Sequence, residues 1–163
     1  MMKSTLNSFK KTLDLTEKKL LSISENISAM RPRENKWSAR EILGHLIDSA
    51  ANNHRRFVLA QLSDDLVFPG YDQDVWVRAQ NYQDASWPSL VALWKSYNLH
   101  IIHLVSQIPE EILLKSRQNH NLDKIAWNTV SKNNPVTLHY FIIDYIGHMN
   151  HHLTQIMNIV SSL

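Results

Sequence analysis

With 163 residues, 44% of them apolar and 20% charged, the chain is long enough for a sizeable core and reads as a single soluble globular domain over 1–163. Seventeen basic residues against 15 acidic ones give a formal charge of +2, and the basic residues are dispersed, so no nucleic-acid surface is expected. The absence of cysteine excludes disulfides, thiolate metal sites and a cysteine nucleophile, and agrees with a cytoplasmic address.

No stretch approaches the roughly 18 apolar residues of a membrane span, and the N-terminus carries no apolar signal core, so no membrane partner is expected. Three glycines and five prolines favour long helices over many turns. A first helix is predicted over 4–28, where Leu6, Phe9, Leu13, Leu20, Ile23 and Ile27 recur at helical spacing until Arg31-Pro32 ends the pattern. A second opens at Ser38-Ala39-Arg40-Glu41, a capping box with Ser38 as N-cap and Glu41 at N3, and is predicted to run to about 62. Its apolar face is Leu43, Leu46, Ile47, Ala50 and Phe57. The adjoining stripe, Ile42, His45, Ser49, Asn52 and Arg56, keeps helical spacing but turns polar after its first residue. A cavity wall has that pattern, and so has a solvent-facing stripe.

The connection over 63–85 contains a Pro69-Gly70 turn and a short helix ending near 81. A third helix follows Ser86 as N-cap, with Leu90, Trp94, Tyr97, Ile101, Val105 and Ile108 as its stripe, and Pro109 ends it. Segment 109–134 has the weakest pattern, with one helical turn expected over 110–114. A fourth helix is placed from Asn134-Pro135, an N-cap followed by proline at N1, nearly to the C-terminus. Four long helices joined by two long connections predict an all-α four-helix bundle.

The last helix carries the chemistry. Its stripe is Leu138, Phe141, Tyr145, His148, His152, Ile156 and Ile159, and the i, i+4 spacing puts His148 and His152 on one face. Inward-facing imidazoles need hydrogen-bond partners or a metal ion. With His45 on a second inward-facing helix, they suggest a three-histidine metal site, against the alternative of packed histidines bonded to Tyr, Ser or Asn. His151 falls on a more polar, outer stripe; His54, His100, His103, His120 and His139 read as surface or capping residues. Met149 stands where the zincin motif needs glutamate, so a general base must come from elsewhere. Asp144, one turn before His148, reads either as the acceptor that fixes an imidazole tautomer or as a solvated surface residue. Three neutral imidazoles suit Zn²⁺, Ni²⁺ or Fe²⁺ better than Mg²⁺ or Ca²⁺, and they leave a coordination position open.

The segment Trp37-Ser38-Ala39-Arg40-Glu41-Ile42-Leu43-Gly44-His45-Leu46-Ile47-Asp48 resembles the opening motif of the DinB-like, YfiT-related superfamily of metal-dependent hydrolases. Tyr145-Ile146-Gly147-His148-Met149-Asn150-His151-His152-Leu153-Thr154-Gln155-Ile156 resembles its closing motif, in the same order. The resemblance implies an up-down-down-up four-helix bundle and a tendency to form homodimers. It also implies a divalent metal, commonly zinc or nickel, on His45, His148 and His152. Characterised relatives include S-transferases that use low-molecular-weight thiols and a maleylpyruvate isomerase. The expected activity is therefore transfer or hydrolysis on a small-molecule substrate, with a thiol as a further cosubstrate. A bundle that binds a metal or small ligand without turnover is the alternative, and a purely structural protein a third. Asp144 or Asp48 would support the metal ligands, and Asp72 or Asp74 would serve as base or substrate contact unless they merely cap a turn anchored by Trp76. Segment 70–77 is placed near the site mouth, which makes Tyr71 and Trp76, with Asn52 and Arg56, candidate substrate contacts.

Overall fold

In a computed structural model that describes residues 2–162, the periodic stripes become eight helices. They are α1 (Met2–Leu21), α2 (Glu25–Ala29), α3 (Ala39–Leu59), α4 (Gln73–Ala79), α5 (Trp87–Ser106), α6 (Glu110–Leu114), α7 (Leu122–Ile125) and α8 (Leu138–Ser162), with a 3₁₀ turn at Tyr82–Asp84. Among the described residues there is no strand, only isolated bridges between Leu66 and His120 and between Arg117 and Val136. No helix among them is long and apolar enough to cross a membrane.

The long helices α1, α3, α5 and α8 form the bundle, and the contacts at their ends fix their directions. Trp87, opening α5, donates its indole N–H to Leu20 O near the end of α1 at 2.7 Å, so these two run antiparallel. Arg40, in the first turn of α3, donates to Ala85 O, just ahead of α5, at 2.9 Å, so α3 and α5 start at the same end and run parallel. Phe57, near the end of α3, meets Phe141, in the first turn of α8, edge-on at 5.7 Å between centroids. Helix α8 therefore runs back along α3, and the order is up-down-down-up. Leu13, Leu20, Leu43, Trp94, Ile101 and Leu138 lie between these helices at no more than 1% exposure. Full burial of one such side chain stabilises by about 1.5–3 kcal/mol.

The capping box forms as read: Glu41 N–H donates to Ser38 Oγ at 3.2 Å, and Ser38 N–H to Glu41 Oε2 at 2.9 Å. Several expectations need correction. The first helix is broken, because Ser22 Oγ turns back onto Lys19 O and Ser24 Oγ caps a separate helix at Ile27 N–H. Ser86 is the N-cap of α5 by position only; its side chain makes no capping bond, and the Glu25 carboxylate accepts the Trp87 N–H at 3.2 Å instead. Helix α8 starts at Leu138 rather than after Asn134, since Val136 exchanges backbone hydrogen bonds with Arg117 and is held extended. Thr137 Oγ1 then accepts the Tyr140 N–H. Within 109–134 a second short helix, α7, joins the expected turn at α6. The second long helix stops at Leu59, three residues short of the predicted end.

Candidate metal centre

The i, i+4 pair of α8 and His45 of α3 meet where the two helices pack together. His45 Nε2 and His148 Nε2 are 3.2 Å apart, and one nitrogen from each of His45, His148 and His152 falls within 4.8 Å of the others. The three rings stand edge-on to one another, with centroids 5.2, 4.9 and 4.6 Å apart. Two donors on one tetrahedral ion at 2.0–2.1 Å are roughly 3.3 Å apart, which is the spacing of the His45 and His148 nitrogens. His152 Nδ1 donates to Gln155 Oε1 at 2.9 Å, which leaves Nε2 as its free lone pair. The residues present therefore fit a divalent metal with nitrogen preference. Nδ1 of His45 has no hydrogen-bond acceptor, so this imidazole is oriented by packing against Trp37, at 5.4 Å between ring centroids.

Beside the imidazoles lies a cavity of about 360 Å³ between α3, α8, the 70–73 segment and the 124–127 segment. Its walls include His45, Ser49, Asn53 and Arg56 from α3, and Phe141, Asp144, Tyr145 and His148 from α8. Residues 8–156 match the sequence profile of the DinB superfamily.

The chain belongs to the DinB superfamily.

Among DinB-superfamily and related proteins, it is similar to YfiT from Bacillus subtilis, described as a probable metal-dependent hydrolase with an unusual four-helix bundle topology. That likeness has a TM-score of 0.76 at 17% identity, over 96% of this chain and 85% of that one. A DinB-like protein of Bacillus subtilis, YjoA, superposes with a TM-score of 0.60 at 19% identity, over 96% of this chain and 89% of that one. These likenesses show the fold. A candidate metal-dependent hydrolase of Halalkalibacterium halodurans is 33% identical over 51 residues, covering 31% of this chain and 30% of that protein.

On the DinB bundle, the other residues singled out in the sequence are dispersed. Asp144 is buried, but its two oxygens accept the backbone N–H groups of Trp127 and Asn128 at 2.9 and 2.7 Å, so it anchors the 126–128 loop rather than an imidazole. Asp48 is not a cavity residue: its Oδ1 accepts Tyr82 OH at 2.8 Å and Gln80 Nε2 at 2.7 Å, and Oδ2 is buried with no partner. Burial raises the Asp48 carboxyl above its usual range, against the lowering effect of Gln80 and Tyr82. Asp72 caps α4 through the Val75 N–H at 3.0 Å, and Asp74 lies exposed in the same first turn.

Tyr71 lines the cavity, and burial, reinforced by Asp48, pushes its hydroxyl up to about 12, so it stays a neutral donor. Trp76 stands outside the cavity, 38% exposed and packed on Tyr71 at 4.8 Å. Arg56 lines the cavity; Asn52 does not, because it bonds Asp48 O and leaves the wall to Asn53. Among the other histidines, His151 is exposed, whereas His120 is 4% exposed and caps α7 by accepting the Leu122 N–H. Gln73 lines the cavity from the segment placed at the site mouth, and the cavity residues absent from the sequence reading are Asn53 and the run from Lys124 to Trp127. Asn53 was within reach of helical spacing as the i+8 neighbour of His45. Trp127, whose ring lies 6.5 Å from that of His148, sits in a segment without periodicity.

Burial, with His152 adding to it, pulls His45 down from 6.5 to about 4. Burial, with His152, His45 and His151 adding to it, pulls His148 down to about 3. Metal-free protein should therefore lose stability as pH falls from 6.5 towards 4, because the unfolded chain takes up protons there that the folded chain refuses. The loss levels off once the folded imidazoles protonate. Melting temperatures of metal-free protein across this window test this; a profile identical to that of a His45→Phe, His148→Phe double variant would contradict buried, neutral imidazoles.

Proposed function

We propose that the chain is a divalent-metal-dependent enzyme, with zinc or nickel as its metal, acting on a small molecule by hydrolysis or thiol S-transfer. The observation that carries this is the convergence of three imidazoles, His45 and His148 among them lining a cavity large enough for a substrate. A bound ion would supply Lewis acidity, turning water or a thiol into a nucleophile near neutral pH. The chain's own residues do the rest. His45, His148 and His152 present lone pairs because burial keeps them unprotonated. Phe141, Ile125 and Ala126 give the cavity apolar walls, and Tyr71 offers a hydroxyl donor.

A second reading is a bundle that holds a metal or a small ligand without turning it over. What favours it is the lack, among the described residues, of a free carboxylate at the imidazoles: Asp144 is spent on two backbone N–H groups, and Asp48 is bonded to Tyr82. Zinc- or nickel-loaded, tag-free protein should turn over members of a panel of thiol–electrophile pairs and activated esters and amides, and His148→Ala should lose that turnover. Stoichiometric metal with no turnover on any pair would leave the binding reading in its place.

A further inference from the structure

Arg56 is 6% exposed, and among the described residues no carboxylate pairs with it. A buried guanidinium without a counter-ion is costly unless its five N–H groups find acceptors. The contrast with Arg117 is instructive. That side chain, 3% exposed, is sewn to three carbonyls, Ile112 O, Lys115 O and Ala60 O, and serves as a staple between segments. Arg56 gives one good bond, to Pro69 O at 2.9 Å, and one long one, to Asn53 Oδ1 at 3.4 Å. None of its nitrogens is sealed away from the cavity without a partner.

The surroundings are built the same way. Tyr71, Ser49 and Asn53 on the same walls are uncharged, and the other cation of the lining, Lys124, is exposed. The one carboxylate in the lining, Asp144, has both oxygens occupied by backbone N–H groups. We infer that this end of the cavity is a carboxylate subsite built on Arg56, so that the substrate of the proposed reaction is a small carboxylic acid. The inference rests on the metal-dependent reading only for the chemistry at the other end. One planar guanidinium beside neutral donors matches one planar anion taken up by two parallel hydrogen bonds. Arg56 stands three helical turns beyond His45 on the same stripe, about 16 Å of axial rise. Both side chains lean towards the helix N-terminus, the longer Arg56 further than His45, so the gap shortens only to roughly 12–14 Å and several carbons would separate the carboxylate from the reacting group.

Cobalt-loaded, tag-free protein titrated with mercaptohexanoate and mercaptooctanoate, beside mercaptohexanol and mercaptooctanol, tests this. The thiolate-to-cobalt absorption band reads the binding. The carboxylates should bind at least tenfold more tightly than the alcohols. That preference should fall to near one in Arg56→Met and be reduced in Arg56→Lys, while the alcohols bind all three proteins alike. A preference undiminished in both variants, or none in the wild type, overturns the subsite. Melting curves establish that each variant is folded, and Arg56→Lys carries the test if Arg56→Met is not. Should no cobalt bind, the metal reading falls instead. Calorimetric titration of metal-free protein with octanoate against octanol then decides Arg56 by the same ratio.

Discussion

Zinc at a hundredfold its dissociation constant is expected to stabilise the wild-type chain by about 2.7 kcal/mol, and His148→Ala is expected to abolish nearly all of that effect. For a chain of this length, the wild-type gain corresponds to a rise of roughly 5–10 °C in melting temperature. The size follows from the geometry. His148 Nε2 lies 3.2 Å from His45 Nε2 and belongs to the same helix as His152, so its removal separates the two remaining donors from their common neighbour. A hundredfold loss of affinity would reduce the stabilisation at the same zinc concentration to about 0.4 kcal/mol, a shift of roughly 1 °C. His151→Ala is the internal control: its imidazole is exposed and packs on Trp127 at 5.5 Å between centroids. It should keep the full zinc-induced shift. Equal shifts in wild type and His148→Ala would remove His148 from the ligand set.

The second large effect concerns Gly44. A Cβ at this position would fall 2.2 Å from Tyr82 Cδ2 and 2.3 Å from Tyr82 Cγ, so the ring itself must move. Tyr82 is 7% exposed, and its hydroxyl bonds Asp48 Oδ1 at 2.8 Å. Displacing the ring would take one of two donors, leaving only Gln80 Nε2, from a buried carboxylate whose other oxygen has no partner. Overpacking and the lost hydrogen bond together give an expected cost of about 3–5 kcal/mol for Gly44→Ala, a fall of roughly 10 °C in melting temperature. The coupling is specific. In a Tyr82→Ala background the three ring atoms nearest the added methyl are gone, so the double variant should melt no lower than Tyr82→Ala alone. If Gly44→Ala melts with the wild type, the α3–Tyr82 contact is not as tight as the structure has it.

The close approach at Gly44 shows where sequence reading stops. The capping box at Ser38 and the stripe of α8 are legible because each is a local pattern: a side chain three residues from its partner, or a period of 3.6. His148 and His152 fall on that stripe and are set apart by face from most of the nine histidines, whereas His45 lies on a stripe that reads equally as cavity wall or solvent face, and its choice leans on the family resemblance. The break at Ser22–Ser24 was not legible, since Ile23 and Ile27 continue the hydrophobic spacing straight through it. The start of α8 was misplaced because Arg117, far away in sequence, holds Val136 extended and overrides the local signal of Asn134-Pro135. The polar stripe of α3 was rotated by one residue. Positions 52 and 53 both continue the spacing from Ser49, about 60° to one side of it and 40° to the other, and the structure puts Asn53 in the cavity. Asp144 had the right burial for a residue at the site, but its partners, the N–H groups of Trp127 and Asn128, come from a segment without periodicity.

The central expectation is that His45, His148 and His152 share one ion. Elemental analysis of tag-free protein, wild type beside a His45→Ala, His148→Ala, His152→Ala triple variant, tests it most directly. About one zinc or nickel per chain in the wild type after reconstitution, and none in the triple variant, is the predicted result. No metal in the wild type under the same conditions, or equal metal in both, would contradict it.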